Sequence, residues 1–169
     1  DRPYLKTNTN GTYLIGDDGK YVRDAETSKP LVWDEAQGKA VPFDAALSED
    51  MALEGDFQVA GKPCRPSFAL LKEHLKAFTP ERAEEISTVP AATVRQMAED
   101  FGREARIGST TPVDGVEIPY RPVAAIALRG SQAHRNSTYN MFAVDLLNHL
   151  GAAAVLGGGC LVFDTCCHG

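Results

Sequence analysis

The spacing of apolar residues changes along this chain, and each change marks a different kind of predicted structure. Over roughly the first sixty residues, short apolar and aromatic pieces alternate with turn residues, which is typical of short strands joined by turns. The pieces are TYLIG, KYVR, LVWD and AVPF, separated by turns at residues 17–19, 28–30 and 37–39. Because they contain few large side chains, we expect this region to have no core of its own and to lie against a partner surface.

From Pro66 onward the spacing becomes helical. SFALLKEHLKAF carries an apolar stripe at Phe68, Leu71, Leu75 and Phe78. Thr79-Pro80-Glu81 then predicts the start of a second helix, with a capping hydroxyl, a proline at the first helical position and an acid in the first turn.

A third helix is predicted after Val89-Pro90, in AATVRQMAEDFGREA, because proline ends the preceding helix and a new apolar period begins. Its inward positions are expected to be Val94, Met97, Ala98 and Phe101. Residues 109–121 are rich in Thr, Pro and Gly and predict a loop.

The most informative stretch combines a predicted strand, a polar loop and a helix. VAAIAL, from Val123 to Leu128, is an uninterrupted apolar run that predicts a strand buried on both faces, as in a parallel sheet. TYNMFAVDLLNHL predicts a helix with one apolar face. The side chains on that face are Tyr139, Phe142, Ala143, Leu146, Leu147 and Leu150.

The loop between them, RGSQAHRNS, is where an α/β fold would bind an anionic or nucleotide-like ligand, at the end of a strand and the start of a helix. Gly130 permits close backbone approach, and Arg135 can bind an anion through two parallel hydrogen bonds. The other candidate binding residues are Ser131, Gln132, His134 and Asn136. The alternative is an exposed polar loop ending in a helix cap at Asn136 or Ser137. No second acid or base follows or precedes His134 at a sequence spacing typical of a catalytic pair, so no catalytic residue is assigned.

Composition narrows the class of protein. The chain has 169 residues, 43% of them hydrophobic and 24% charged, which suits one globular domain or slightly more. Its net charge of −6 and the lack of a Lys/Arg run argue against a nucleic-acid partner. No apolar run is long enough for a membrane span. The chain begins without Met, as expected of a processed chain or of a fragment of a larger protein.

The cysteines and a glycine run complete the candidate chemistry. Cys160, Cys166, Cys167 and His168 form the pattern C-x5-C-C-H, which matches no zinc or iron–sulfur spacing, so free thiols are favoured over a metal site. Gly157-Gly158-Gly159 is not followed by Lys-Ser/Thr, and a flexible connection is favoured over a phosphate-binding loop.

One run of residues resembles a known family. FTPERAEEISTVPAATVRQMA, at residues 78–98, is similar to a segment of the molybdopterin oxidoreductases of the dimethyl sulfoxide reductase type. The order of later elements is also similar: an apolar strand, a glycine-bearing polar loop, a helix with an LLN-L-GA pattern (DLLNHLGA here) and a glycine turn. The early pieces around Tyr4, Tyr21 and Trp33 look like an upstream extension that some large members carry.

The resemblance implies an internal portion of a larger enzyme. The expected fold is α/β: a partial dinucleotide-binding-like (Rossmann-like) parallel-sheet domain at residues 63–169, preceded by an irregular β-rich extension at 1–62. The implied cofactor is molybdopterin guanine dinucleotide with molybdenum or tungsten, and a 4Fe-4S cluster whose ligands would lie outside this chain. The loop residues Gly130, Ser131, Gln132, His134 and Arg135 match positions that line the pterin and the substrate funnel in that family.

The resemblance also implies partners and a reaction. The partners would be the remainder of the same polypeptide and an iron–sulfur electron-transfer protein, in the cytoplasm or periplasm of a prokaryote. The intact enzyme would carry out two-electron redox chemistry on a small substrate, and this portion would be inactive alone. The alternative from a different class is a non-catalytic α/β module that binds a nucleotide or small anion through the same loop.

Overall fold

The computed structural model describes residues 1–127, 130, 133 and 135–152. These residues fall into two compact units. The N-terminal unit is Arg2–Ile86, and the C-terminal unit is Asp1 together with the described residues from Ser87 onward. Helices and small antiparallel sheets make up both, so the fold is mixed α/β. The domain boundary expected at residues 62 and 63 stays a prediction.

The N-terminal unit contains five short strands, as expected from the alternating apolar pieces and turns. Two antiparallel sheets form, one ordered β1-β5-β4 and the other pairing β2 with β3. The elements are α1 (Arg2–Asn8), β1 (Leu14–Gly16), β2 (Leu31–Asp34), β3 (Lys39–Pro42), a 3-10 turn (Ser48–Asp50), β4 (Phe57–Val59), β5 (Lys62–Pro66), α2 (Ser67–Leu75) and α3 (Pro80–Ser87). The pieces LVWD and AVPF thus give β2 and β3.

The expectation that this region has no core is wrong. Successive residues of β2 point to opposite faces, so Leu31 joins one buried cluster with Leu14 and Cys64, and Val32 joins another with Val41 and Met51. The first cluster is extended by stacked rings of Trp33 and Phe57, whose centroids lie 4.4 Å apart. The four-residue strand β2 therefore contributes side chains to two buried clusters. The number of large apolar residues in the sequence does not reveal this arrangement.

The predicted helix start at Thr79 is confirmed. Its hydroxyl Oγ1 accepts a hydrogen bond from the backbone N–H of Arg82 at 3.2 Å, and its carbonyl accepts one from Ala83 at 3.0 Å. Pro80 is the first residue of α3, where its missing N–H costs nothing.

The C-terminal unit contains α4 (Ala91–Glu104), β6 (Thr110–Val113), β7 (Val116–Pro119) and α5 (Ser137–Leu150). The loop expected at residues 109–121 is wrong, because β6 and β7 form an antiparallel hairpin there. Asp114 and Gly115 make its turn, with φ of +49° and +80°. Positive φ at both central residues is the turn that matches strand twist, and Asp-Gly is well suited to it.

The strand expected at VAAIAL is not shown. Val123–Ala127 belongs to no strand, and Leu128 lies outside the described residues. Every sheet in the described part of the chain is antiparallel, so the expected parallel, Rossmann-like sheet is not among them.

The helices of this unit form where predicted, but their apolar faces do not all turn inward. On α4, Met97 is 65% exposed and Ala98 is also exposed, contrary to expectation. On α5, Tyr139 is 76% exposed and Phe142 63%, whereas Asn148 is buried. The sequence identifies the apolar face of a helix but not the side on which the described chain packs. No helix in the described ranges has the length and apolarity needed to cross a membrane.

Candidate functional site

The predicted binding loop is described at three of its six candidate residues: Gly130, Arg135 and Asn136. The other three, Ser131, Gln132 and His134, lie outside the described residues. Asn136 is the N-cap residue of α5, but its side chain makes no capping hydrogen bond. Arg135 and Asn136 are both exposed, and a Cβ added at Gly130 would meet nothing within 4 Å.

This geometry suits an anion or an oxygen-rich ligand. The first N–H groups of a helix have no partner within the helix and carry partial positive charge, so they attract negative charge. A guanidinium donates two parallel hydrogen bonds to a phosphate or oxyanion. Arg135 and the exposed amide of Asn136 therefore offer donors beside a 14-residue helix.

A buried amide connects the two sides of this loop. Asn148, 2% exposed on α5, accepts a hydrogen bond at Oδ1 from the backbone N–H of Ala125 at 2.7 Å. Its Nδ2 donates to the carbonyl oxygen of Ala125 at 2.9 Å. The apolar segment before the loop is thereby bound to the helix that follows it.

A buried arginine, Arg121, hydrogen-bonds to several segments of the C-terminal unit. Arg121 is 5% exposed, and its Nη2 and Nε donate to Oδ2 of Asp1 at 2.7 and 3.2 Å. Its Nη1 donates to the carbonyl oxygens of Arg106, Ser109 and Tyr120 at 3.3, 3.0 and 2.8 Å. A guanidinium with all its nitrogens occupied this way fixes the end of α4, the hairpin ends and Asp1 together.

Metal ligation finds no support in the described ranges, where no group of three or more His, Cys, Asp or Glu side chains could hold an ion. Cys64 is a buried free thiol in the N-terminal unit, and burial, with a smaller contribution from Asp17, raises its pKa. The C-x5-C-C-H pattern (Cys160, Cys166, Cys167 and His168) and Gly157-Gly158-Gly159 lie outside the described residues.

The N-terminal unit has an open cleft of about 350 Å³ beside β1 and β5. Its charges oppose one another, since two aspartates and two lysines line it, and Asp18 already accepts a hydrogen bond from the backbone of Lys20. The cleft has no selective attraction for an anion, and the C-terminal loop remains the stronger candidate.

Sequence reasoning missed Arg121 and Asn148. Asn148 left a signal, because it is a polar residue within the apolar run LLNHL, where a buried amide must find partners. Arg121 left none, because its acceptors are backbone carbonyls brought together only by the fold.

The chain is similar to parts of two curated proteins. It is 30% identical to a sulfite dehydrogenase component of Allochromatium vinosum over 87% of this chain and 18% of that protein. It is 32% identical to the alpha chain of the chlorate reductase of Ideonella dechloratans over 56% of this chain and 12% of that protein. No protein-family model and no solved structure matches. The chain thus spans less than a fifth of the relatives it matches, and both are named as subunits of oxidoreductases.

Proposed function

We propose that this chain is part of a molybdopterin-dependent oxidoreductase and that its C-terminal unit contributes one wall of the cofactor and substrate site. The observation that carries the proposal is the similarity, over 87% of the chain, to a component of a sulfite dehydrogenase. A component of a chlorate reductase is similar over a shorter range. Both relatives are named for a small oxyanion, so we propose an oxyanion as the substrate class.

The described residues fit the anionic, oxygen-rich part of such a cofactor. Arg135 and Asn136 are exposed donors at the start of α5, and Gly130 leaves open space around its backbone. They do not supply a metal site, since the described part holds no group of three ligating side chains. The protein ligand of the metal would lie outside this chain. The ligands of a 4Fe-4S cluster would also lie outside it.

Each loop residue has a proposed task. Arg135 would bind a phosphate of the guanine dinucleotide or an anionic substrate, and Asn136 would donate a hydrogen bond beside it. Gly130 would let the backbone approach, while Ser131, Gln132 and His134 would hydrogen-bond pterin or substrate oxygens. When bound, the cofactor supplies two-electron redox chemistry with molybdenum or tungsten. In the intact polypeptide, Val123–Leu128 would be a strand of a parallel, dinucleotide-binding-like sheet. An iron–sulfur protein would exchange electrons with the cofactor.

Activity tests this proposal in the full-length protein. We expect it to oxidise sulfite with an artificial electron acceptor, or to reduce chlorate with a reduced viologen dye. Turnover of neither sulfite nor chlorate, in a protein that contains no pterin, would favour the non-catalytic anion-binding module instead.

Two loop variants test the site. Gln132→Ala and His134→Ala in the full-length protein are expected to lower turnover or molybdenum content by about tenfold or more, because each removes a donor to a bound oxygen. Melting temperatures should stay near that of the unsubstituted protein. Unchanged turnover together with unchanged metal content in both variants would contradict the assignment.

A further inference from the structure

The sequence contains one Asn-Gly pair, Asn10-Gly11, in the segment between α1 and β1. Asparagine followed by glycine is the dipeptide most prone to spontaneous deamidation, because glycine has no side chain to hinder attack by its own backbone nitrogen on the asparagine amide. Asn10 is exposed, whereas Gly11 is buried. A chemically labile pair therefore lies at the edge of the packed interior of the N-terminal unit.

Close packing favours glycine at the second position of this pair. A Cβ added at Gly11 would lie 3.2 Å from Cδ2 of Leu53 and 3.5 Å from Cβ of Phe68. Leu53 is 1% exposed, so it has little space into which it could move. A larger residue at position 11 would slow deamidation but would crowd this contact. The fold thus favours a labile sequence at this point.

Hydrogen bonds occupy both reacting groups. The Gly11 N–H donates to Oγ1 of Thr9 at 3.0 Å, and the same hydroxyl donates to the carbonyl oxygen of Leu5 at 2.6 Å. Because its proton is directed at Leu5, the Thr9 oxygen is left to accept from Gly11. The Asn10 amide donates from Nδ2 to the hydroxyl of Tyr21 at 2.6 Å. The attacking nitrogen and the amide that it would attack are therefore each held by another partner.

We propose that Asn10 is a site of spontaneous deamidation that the folded N-terminal unit keeps closed through the Thr9 hydroxyl. In the reaction, the Gly11 nitrogen loses its proton to solvent and bonds to Cγ of Asn10. The bond from Cγ to Nδ2 breaks, and Nδ2 leaves as ammonia. Water then opens the cyclic succinimide at either carbonyl and gives aspartate or isoaspartate. The net change is asparagine plus water to an acidic residue plus ammonia, and it does not depend on what the chain binds.

Ring closure requires the peptide unit between the two residues to move, and the fold holds this unit on both sides. The Asn10 carbonyl accepts hydrogen bonds from the backbone N–H of Tyr13 at 3.0 Å and from the hydroxyl of Ser67. The Gly11 carbonyl accepts one from the N–H of Phe68 at 2.9 Å. The reaction therefore needs local opening. Isoaspartate adds a methylene to the backbone beside Gly11, where a Cβ is already crowded, so an opened molecule that reacts cannot reclose in the same way.

Peptide mass spectrometry of the full-length protein, incubated at mildly alkaline pH and then digested with trypsin, tests the proposal. Cleavage after Lys6 and Lys20 gives one peptide that contains Asn10 and Asn8. Asn8 precedes threonine and is the internal control, which should stay unconverted. Conversion of Asn10 should be at least about tenfold slower in the folded protein than in concentrated urea, because only opened molecules react. Equal rates in the two conditions overturn the proposal.

Substitution of Thr9 tests the hydroxyl. Thr9→Val keeps the shape but cannot accept from Gly11, so conversion in the folded protein should be at least about threefold faster, with the rate in urea unchanged. Thr9→Ser keeps the hydroxyl and should retain the slow rate. A slow rate in Thr9→Val at an unchanged melting temperature overturns the proposal.

Hydrogen exchange of the Gly11 amide in the unsubstituted protein is the second measurement, and it decides the matter if Thr9→Val does not fold. Because this N–H is bonded to Thr9 Oγ1, it should exchange at least about tenfold more slowly than in the urea-unfolded chain. Exchange as fast as in the unfolded chain would show that the attacking nitrogen is free, and would overturn the proposal.

Discussion

The two units of this chain are stabilised by different kinds of contact. The N-terminal unit buries large apolar side chains, among them Leu14, Val32 and Leu53, each at most 1% exposed. In the described part of the C-terminal unit, the buried hydrophobic residues are all alanines: Ala91, Ala105, Ala127 and Ala152. Large apolar side chains of that unit are exposed instead, including Met97, Ile126, Tyr139 and Phe142.

Two buried polar side chains make many of the contacts in the described part of the C-terminal unit. Arg121 bonds Asp1 and three carbonyl oxygens, and Asn148 bonds both backbone groups of Ala125. Such contacts give direction and spacing, but burying alanines removes little apolar area from water. The described residues of the N-terminal unit thus bury more apolar area than those of the C-terminal unit, whose large apolar side chains are more exposed.

The largest expected effect comes from breaking the polar centre of the C-terminal unit. Arg121→Met removes the cation that pairs with the Asp1 carboxylate, where both side chains are 6% exposed, and should lower the free energy of unfolding of this unit by about 3–5 kcal/mol. Hydrogen exchange of peptides from α5 measures it. The control is Arg103→Met, whose ion pair with Asp100 is exposed and should cost no more than about 1 kcal/mol. Equal stability of the two variants would mean that polar contacts do not hold this unit.

The matching test of the N-terminal unit removes apolar volume from its core. Leu53→Ala should cost about 2–5 kcal/mol, because a fully buried leucine leaves a cavity. Urea unfolding followed by fluorescence reports this unit alone, since Trp33 is the single tryptophan of the chain. Leu47→Ala is the control, because Leu47 is 65% exposed and should change stability by less than about 0.5 kcal/mol. If Leu53→Ala costs no more than Leu47→Ala, apolar packing does not distinguish the N-terminal unit from the C-terminal unit.

The smallest expected effect lies in the surface charges of the N-terminal unit. Hydrogen bonds from Lys72 and Arg2 lower the pKa of Glu54. A lowered pKa in the folded state means that the stabilisation is complete at neutral pH and is lost as pH falls through that lowered value. Since the groups are 40–63% exposed, Glu54→Gln should cost less than about 1 kcal/mol at pH 7. Urea unfolding against pH should show the difference vanishing once the pH falls below the lowered pKa of Glu54; a difference that persists in more acidic solution would exclude the ion pairs as its cause.

The sequence predicts the local elements of this chain well where the signal is local. Thr79-Pro80 marks the start of α3 because capping depends on residues adjacent in sequence. The hairpin at 110–119 was missed although Asp114-Gly115 is a local signal, because its strands contain proline and threonine and little apolar alternation.

Tertiary features were predicted less well. The apolar face of α5 was identified, but its outward direction follows from Asn148 bonding Ala125, a contact 23 residues apart in sequence. The expected strand at 123–128 is an apolar run whose pairing depends on neighbours that no local pattern supplies. Of the candidate site, Gly130, Arg135 and Asn136 are described as exposed, and Arg135 and Asn136 directly precede α5. The ligand that they bind stays a prediction.

The most direct test of the central claim is the metal and pterin content of the full-length protein purified from its native host. Elemental analysis together with fluorescence of the oxidised pterin should find a stoichiometric amount of molybdenum or tungsten and a matching amount of pterin. A folded, full-length product that contains neither would contradict the claim that this chain is part of a molybdopterin-dependent oxidoreductase.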